Sequence, residues 1–143
     1  MNAILVGIAI GIGILAFCTS IVWYSPLLFG DIWKQGADAS LENSAGWKFA
    51  VMPLREILTA MTMLFILFRM KRLSPLEAVT VSIVLWLGFY GVQLAGAVVW
   101  DGMSPALGAV HAVDWLMKLL IITVCMSAAL NKFGRTAPVP GAE

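Results

Sequence analysis

The chain has 143 residues, of which 61% are apolar and only 12% charged, and its formal net charge at pH 7 is +1. Soluble domains average about 25% charged residues, so this composition excludes one and describes a single compact integral membrane domain with the lipid bilayer as its first partner. Near-neutral charge, with no basic patch interleaved with aromatics, excludes nucleic acid as a second.

From Ala3 to Val22 there is no charge, and the run is long enough to cross a hydrocarbon core of about 30 Å, which takes about 20 helical residues. Only the terminal amine precedes it and no Ala-x-Ala follows, so it reads as a span and not as a cleaved signal. Phe17 before Cys18 argues against a lipoprotein box, which needs a small residue there. Cys18 and Cys125 both lie in apolar runs without metal spacing and read as small packing residues. Gly7 and Gly11 form a Gly-x-x-x-Gly pair, with Gly13 beside them, suited to close approach of a helix within the monomer or between copies.

The span ends in Trp23-Tyr24-Ser25-Pro26-Leu27-Leu28-Phe29-Gly30-Asp31-Ile32-Trp33. Interfacial aromatics and a Ser-Pro restart place Trp23 and Tyr24 at the outer interface and Pro26 to Trp33 in a short amphipathic helix lying flat on it. The pattern carried by Trp23, Tyr24, Pro26, Phe29, Gly30 and Trp33 resembles the end of helix one in a bacterial family of small four-span membrane proteins, domain of unknown function 1761, and Gly88-Phe89 matches a Gly-Phe in its third span. The resemblance implies a fold and a bacterial cytoplasmic (inner) membrane, and no activity. It gives no family pattern for His111, Asp114 and Lys118, whose importance rests on physics alone.

Gly36 to Gly46 reads as the longest loop outside the membrane, and Trp47 marks re-entry. The second span, about Trp47 to Phe68, is interrupted by Pro53, Arg55 and Glu56. Ser74-Pro75-Leu76-Glu77 opens the third with an N-cap, a proline at the first helical position and a capping-box glutamate. That span runs to about Trp100, with Gly88 and Gly91 as further packing candidates and Gln93 as a polar one. Asp101-Gly102 turns the chain, Ser104-Pro105 starts the fourth helix, and the tail from Arg135 reads as disordered. The expected fold is all-α: residues 1–134 form one bundle of four transmembrane helices with the short interfacial helix after helix one, and residues 135–143 form a cytoplasmic tail.

His111, Asp114 and Lys118 fall at i, i+3 and i+7, which puts an imidazole, a carboxylate and an ammonium on one helix face where Asp114 and Lys118 can pair. A charge at mid-bilayer costs roughly 2.5–3.5 kcal/mol even on lenient scales, so these groups face a bundle interior or a watered cavity. At about 1.5 Å of rise per residue, Lys118 lies near the midplane, with Asp114 roughly 7 Å and His111 roughly 12 Å toward the outside. Arg55, Glu56 and Gln93 fall on the same outer level, with Tyr24 at the rim. Two basic and two acidic groups balance, so Arg55 with Asp114 and Glu56 with Lys118 is the expected pairing.

Three functions follow. The polar residues form a pocket that binds or transports a small polar or ionic solute, which in so small a chain requires a homo-oligomer. Alternatively the network only fixes helix packing in an accessory or scaffold protein. A membrane enzyme comes third, because no nucleophile motif, metal set or cofactor fingerprint accompanies His111 and Asp114. No cofactor is expected, and a lone histidine without a second histidine or nearby cysteine argues against a metal.

Loop charge predicts topology: Arg69, Lys71, Arg72, Lys132 and Arg135 mark one side, whereas the other balances Lys34 and Lys48 against Asp31, Asp38, Glu42 and Asp101, so both termini face the cytoplasm. Reporters fused after Asp101 and after Arg135 are expected on opposite sides of the membrane, and a result with both on one side refutes the topology.

Overall fold

A computed structural model describes residues 3–36, 47–70 and 74–134; the 37–46 loop, Lys71, Arg72 and the 135–143 tail lie outside the described residues. Within these, the chain is helical and contains no strand: α1 (Ala3–Trp23), α2 (Gly30–Gly36), α3 (Trp47–Arg69), α4 (Pro75–Leu85), a π-helical segment (Trp86–Gly91), α5 (Val92–Trp100) and α6 (Pro105–Phe133). Helix α4, the π-helical segment and α5 run on as one element, so four helices are long and apolar enough to cross a membrane.

Local chemistry sets the boundaries. At α4 the Ser74 hydroxyl accepts from the Glu77 amide at 3.3 Å while the Glu77 carboxylate accepts from the Ser74 amide at 2.6 Å, the reciprocal cap its sequence announces. Ser104 caps α6 in the same way, accepting from the Leu107 amide at 3.2 Å. Between α5 and α6 the turn relies on Gly102, whose φ of +73° suits a residue without Cβ.

After α1 the structure departs from expectation. Residues 24–29 form turns, and the short helix begins at Gly30 instead of Pro26. The Phe29 amide reaches back to the Trp23 carbonyl at 3.1 Å and the Gly30 amide to Ser25 at 3.0 Å. A Cβ on Gly30 would stand 2.8 Å from the Ser25 carbonyl, so this reversal requires glycine. Trp23 and Phe29 close it from the side, ring centroids 4.5 Å apart. Most of the aromatic motif is therefore a turn that folds the chain back over the end of α1.

Helices α1, α3 and α6 pack on one another, and the third span packs along α6, with no comparable contact to α1 or α3 among the described residues. Leu5, Ala9, Ile12 and Ala16 of α1 meet Ala60, Met63, Leu64 and Leu67 of α3 and Leu119, Ile122 and Met126 of α6 in one core. Lipid competes for apolar surface as well as protein does, so membrane helices associate where small residues admit close packing. Here Ala9, Ala16 and Ala60 are fully buried, and a Cβ on Gly13 would stand 2.7 Å from the Ile57 Cα. Of the glycines singled out by spacing, Gly7, Gly11 and Gly88 have nothing within 4 Å of a built Cβ inside the single chain, and Gly91 faces Trp86 of its own span. Cys18 and Cys125 also lie on exposed faces instead of packing inward.

The third span is tied to α6 by Ser82, whose hydroxyl donates to the carbonyls of Ala78 at 3.0 Å and Leu119 at 3.4 Å, and by the Trp86 indole N–H, which donates to the Ala112 carbonyl at 3.0 Å. Only 6% of its most apolar window is buried, so its remaining faces meet lipid or the space beside α3.

The α1–α3 contact makes a direct prediction. Overpacking a close contact costs about 1–3 kcal/mol, and here the obstacle is backbone. Gly13→Ala is expected to lower the melting temperature in detergent by several degrees while Gly11→Ala leaves it unchanged; equal effects would show that the α1–α3 approach is not as close as described.

Candidate functional site

The polar groups meet where α1, α3 and α6 converge. Lys118 is fully buried, and its ammonium donates to Glu56 Oε1 at 3.0 Å and lies 2.8 Å from Asp114 Oδ2. Burying an ammonium is affordable only with such partners. Glu56 Oε1 also accepts from Arg55, whose Nη2 stands at 2.8 Å and Nε at 3.3 Å. Asp114 completes its shell from the first helix: the Ser20 hydroxyl donates to Oδ1 at 3.2 Å and the Tyr24 hydroxyl to Oδ2 at 3.2 Å. Glu56 Oε2 is buried without a hydrogen-bond partner among the described residues.

Tyr24 also lies 2.6 Å from His111 Nδ1. A phenol has one proton, and a carboxylate can only accept. Both contacts are satisfied when His111 Nδ1–H donates to Tyr24 and Tyr24 donates to Asp114. The turn after α1 makes this possible, since the Trp23 indole donates to the Val110 carbonyl at 3.2 Å and thereby pins the neighbouring Tyr24 beside α6.

Above this network lies a cavity of about 620 Å³, within the size range of small-molecule sites. Its polar lining comes from Ser20, Tyr24, Arg55, His111 and Asp114, and its walls are apolar or aromatic: Phe17 and Ile21 of α1, Trp33 of α2, Met52 of α3, Tyr90 and Leu94 of the third span, Met103, and Trp115 of α6. Trp115 joins the walls: Arg55 stands 4.8 Å from its ring centroid, Lys118 4.4 Å and the Tyr90 ring 5.0 Å. Such contacts hold a cation on an aromatic face. The network thus has two halves. Glu56 and Lys118 are fully buried beneath the cavity, whereas the Arg55 side chain is 52% exposed beside it.

Of the residues expected from sequence, Tyr24, Arg55, Glu56, His111, Asp114 and Lys118 come together, and Glu56 pairs with Lys118. Arg55 does not pair with Asp114; it bends to its chain neighbour Glu56, and Asp114 is held by Lys118 instead. Gln93 is exposed and takes no part in the cavity lining. Ser20, Tyr90 and Trp115 were missed. Ser20 had a signal, since it stands four residues before Tyr24 on one face of an uncharged helix, and Trp115 sits beside Asp114. Tyr90 had none, because the π-helical segment changes the facing of every residue in it. Among the described residues, no three His, Cys, Asp or Glu side chains gather where a metal could be held.

Breaking a buried ion pair costs about 3–5 kcal/mol because the surviving charge is left alone. Lys118→Met strands two carboxylates and is expected to lower the melting temperature strongly, whereas adding Glu56→Gln and Asp114→Asn to it recovers most of the loss. A triple variant no more stable than the single one would show that the ammonium does not serve those carboxylates.

A family model described as a protein of unknown function (DUF1761) matches residues 3–127. No curated protein and no solved structure matches the chain. The match covers most of the chain, which therefore belongs to the DUF1761 family, and the matched region includes the aromatic turn, Arg55 and Glu56, and the His111–Lys118 stretch.

Proposed function

We propose that this protein is a multi-pass membrane protein that binds a small ionic solute in the cavity above Asp114 and, as a homo-oligomer, carries it across a bacterial cytoplasmic membrane. The observation that supports this reading is Arg55: a guanidinium half exposed beside a cavity of about 620 Å³, within a helix apolar enough to span a bilayer. Ionisable side chains at membrane depth mark solute and ion pathways when they border a cavity. Arg55 is the recognition group; the His111–Tyr24–Asp114 chain lines the same space and offers a route for proton movement. The scaffold reading applies to the other half, since Lys118 and Glu56 are sealed away and hold helices together. Basic residues on the α3–α4 connection and after α6 favour cytoplasmic termini, which puts the cavity on the outer side.

A ligand at about ten times its Kd stabilises by RT ln(1 + [L]/Kd), about 1.4 kcal/mol, or about 3–6 °C for a chain of this size. Melting the protein in lipid nanodiscs with millimolar benzoate, phosphate, glycine betaine or choline tests the reading. The anions are expected to raise the melting temperature and Arg55→Gln to abolish the shift. If all four probes leave wild type and variant unmoved, the cavity is not a solute site.

A further inference from the structure

The geometry points to an amphiphilic anion as the occupant, its acidic head on Arg55 and its apolar tail between α3 and the third span, reached sideways from the bilayer. This inference rests on the proposed solute site and specifies its ligand.

The sign of the head follows from which groups retain bonding capacity. A guanidinium carries five N–H donors; two go to Glu56 Oε1, which leaves three for another acceptor among the bonds described. The acids are either engaged or closed off, the unpartnered Glu56 Oε2 among the latter. Asp114 receives Ser20 on one oxygen and Tyr24 and Lys118 on the other, and Glu56 is sealed beneath the cavity. A ligand entering the space therefore meets an unsaturated cation and neutralised carboxylates. Carboxylate and phosphate heads both match the planar fork of arginine.

The tail follows from the walls and the way in. A bare carboxylate or phosphate fills a small part of about 620 Å³, and most of the remainder is bounded by apolar or aromatic side chains. Met52 of α3 and Tyr90 and Leu94 of the third span all line that space, and among the described residues these two elements make no sustained contact with each other. Leu54, two positions after Met52, and Val92, midway between Tyr90 and Leu94, are exposed apolar side chains at 51% and 65%. A hydrocarbon chain gains little by moving from lipid into such a gap, but partitioning into the bilayer concentrates the head at the depth of Arg55. The third span suits this task, since no residue from Trp86 to Trp100 is fully buried in the bundle.

The test uses the full chain in nanodiscs and a decanoate bearing a diazirine near its tail end, with empty nanodiscs as background. Saturable photolabelling is expected, with labelled peptides mapping to Met52 and Leu94. Arg55→Gln should weaken it by about tenfold, as loss of charge-assisted hydrogen bonds implies, and Arg55→Lys should recover part of the loss. Leu94→Trp, which fills the gap without touching the charges, should cut labelling while the melting temperature holds. Neither butyrate nor decanol should compete at the same total concentration as decanoate; decyl phosphate should. Butyrate competing equally would mean a water-facing anion site, which overturns this inference and keeps the solute reading. Decanol competing equally, with Arg55→Gln indifferent, would mean a neutral lipid groove and overturn the anionic head. Absence of saturable labelling in folded protein overturns the inference alone if the small-probe melts respond, and both readings if they do not.

Discussion

The ammonium of Lys118 is the group on which the bundle depends. It sits at zero exposure between Glu56 of α3 and Asp114 of its own helix, and Asp114 in turn receives Ser20 and Tyr24 from the first helix and the turn after it. In lipid there is no hydrophobic force to press apolar helices together, so contact must come from close packing and polar keys. Gly13 and the buried alanines bring α1 and α3 near, and the lysine fixes how far α6 slides along them. Displacing α6 by one turn would take Lys118 away from Glu56 and Asp114 away from Ser20 and Tyr24, leaving buried charged groups short of their partners in a low-dielectric interior.

The same arrangement explains why an arginine stands beside a cavity at membrane depth. Two carboxylates share one buried lysine, which leaves one negative charge to be balanced. Arg55 supplies the balance, but from the cavity side, because its long side chain folds back to Glu56 from a helix position that is itself exposed. Trp115 then holds the guanidinium from one face. Stability and the proposed recognition are thus arranged in sequence along one network: the sealed members hold the helices, and the N–H donors that Arg55 does not spend on Glu56 are left toward the cavity.

Much of this was legible in the chain. Helix count, the caps at Ser74 and Ser104, and the convergence of Arg55, Glu56, His111, Asp114 and Lys118 on one level follow from hydropathy, N-cap chemistry and 1.5 Å of rise per residue. Rise gives depth and not direction, which is why Arg55 was matched to Asp114 across the bundle when its actual partner is the next residue in the chain. Direction failed again at Gln93, which lies beyond the π-helical segment; a wider turn advances the helix by less than the ideal angle per residue, and every later side chain faces elsewhere. The Gly7–Gly11 spacing identified a face that is open within the chain, whereas the close approach of α1 to α3 is made two positions on at Gly13, where a Cβ would meet the Ile57 backbone. The aromatic turn could be recognised as a motif, yet its purpose, setting Tyr24 between His111 and Asp114, depends on a chain reversal that only the Gly30–Ser25 approach reveals.

The two sides of the cavity are built by different physics. On the α3 side, Arg55 is positioned by charge, hydrogen-bonded to a carboxylate that is itself locked to Lys118. On the other side, Tyr90 and Leu94 belong to a span whose hydrogen bonds to α6, from Ser82 and Trp86, both fall before the widened segment ends. Past that point the span contributes no fully buried residue, and Tyr90 meets the bundle through the Trp115 ring. Few buried contacts hold the apolar wall, although Val98 approaches α6 so closely that a Cβ on Gly108 would stand 2.8 Å from it, so the charged wall is the more firmly fixed of the two. For the proposed ligand, a firmly fixed cationic wall opposite a less tightly held apolar one sets the orientation by the polar end and leaves the dimensions of the apolar end to the third span.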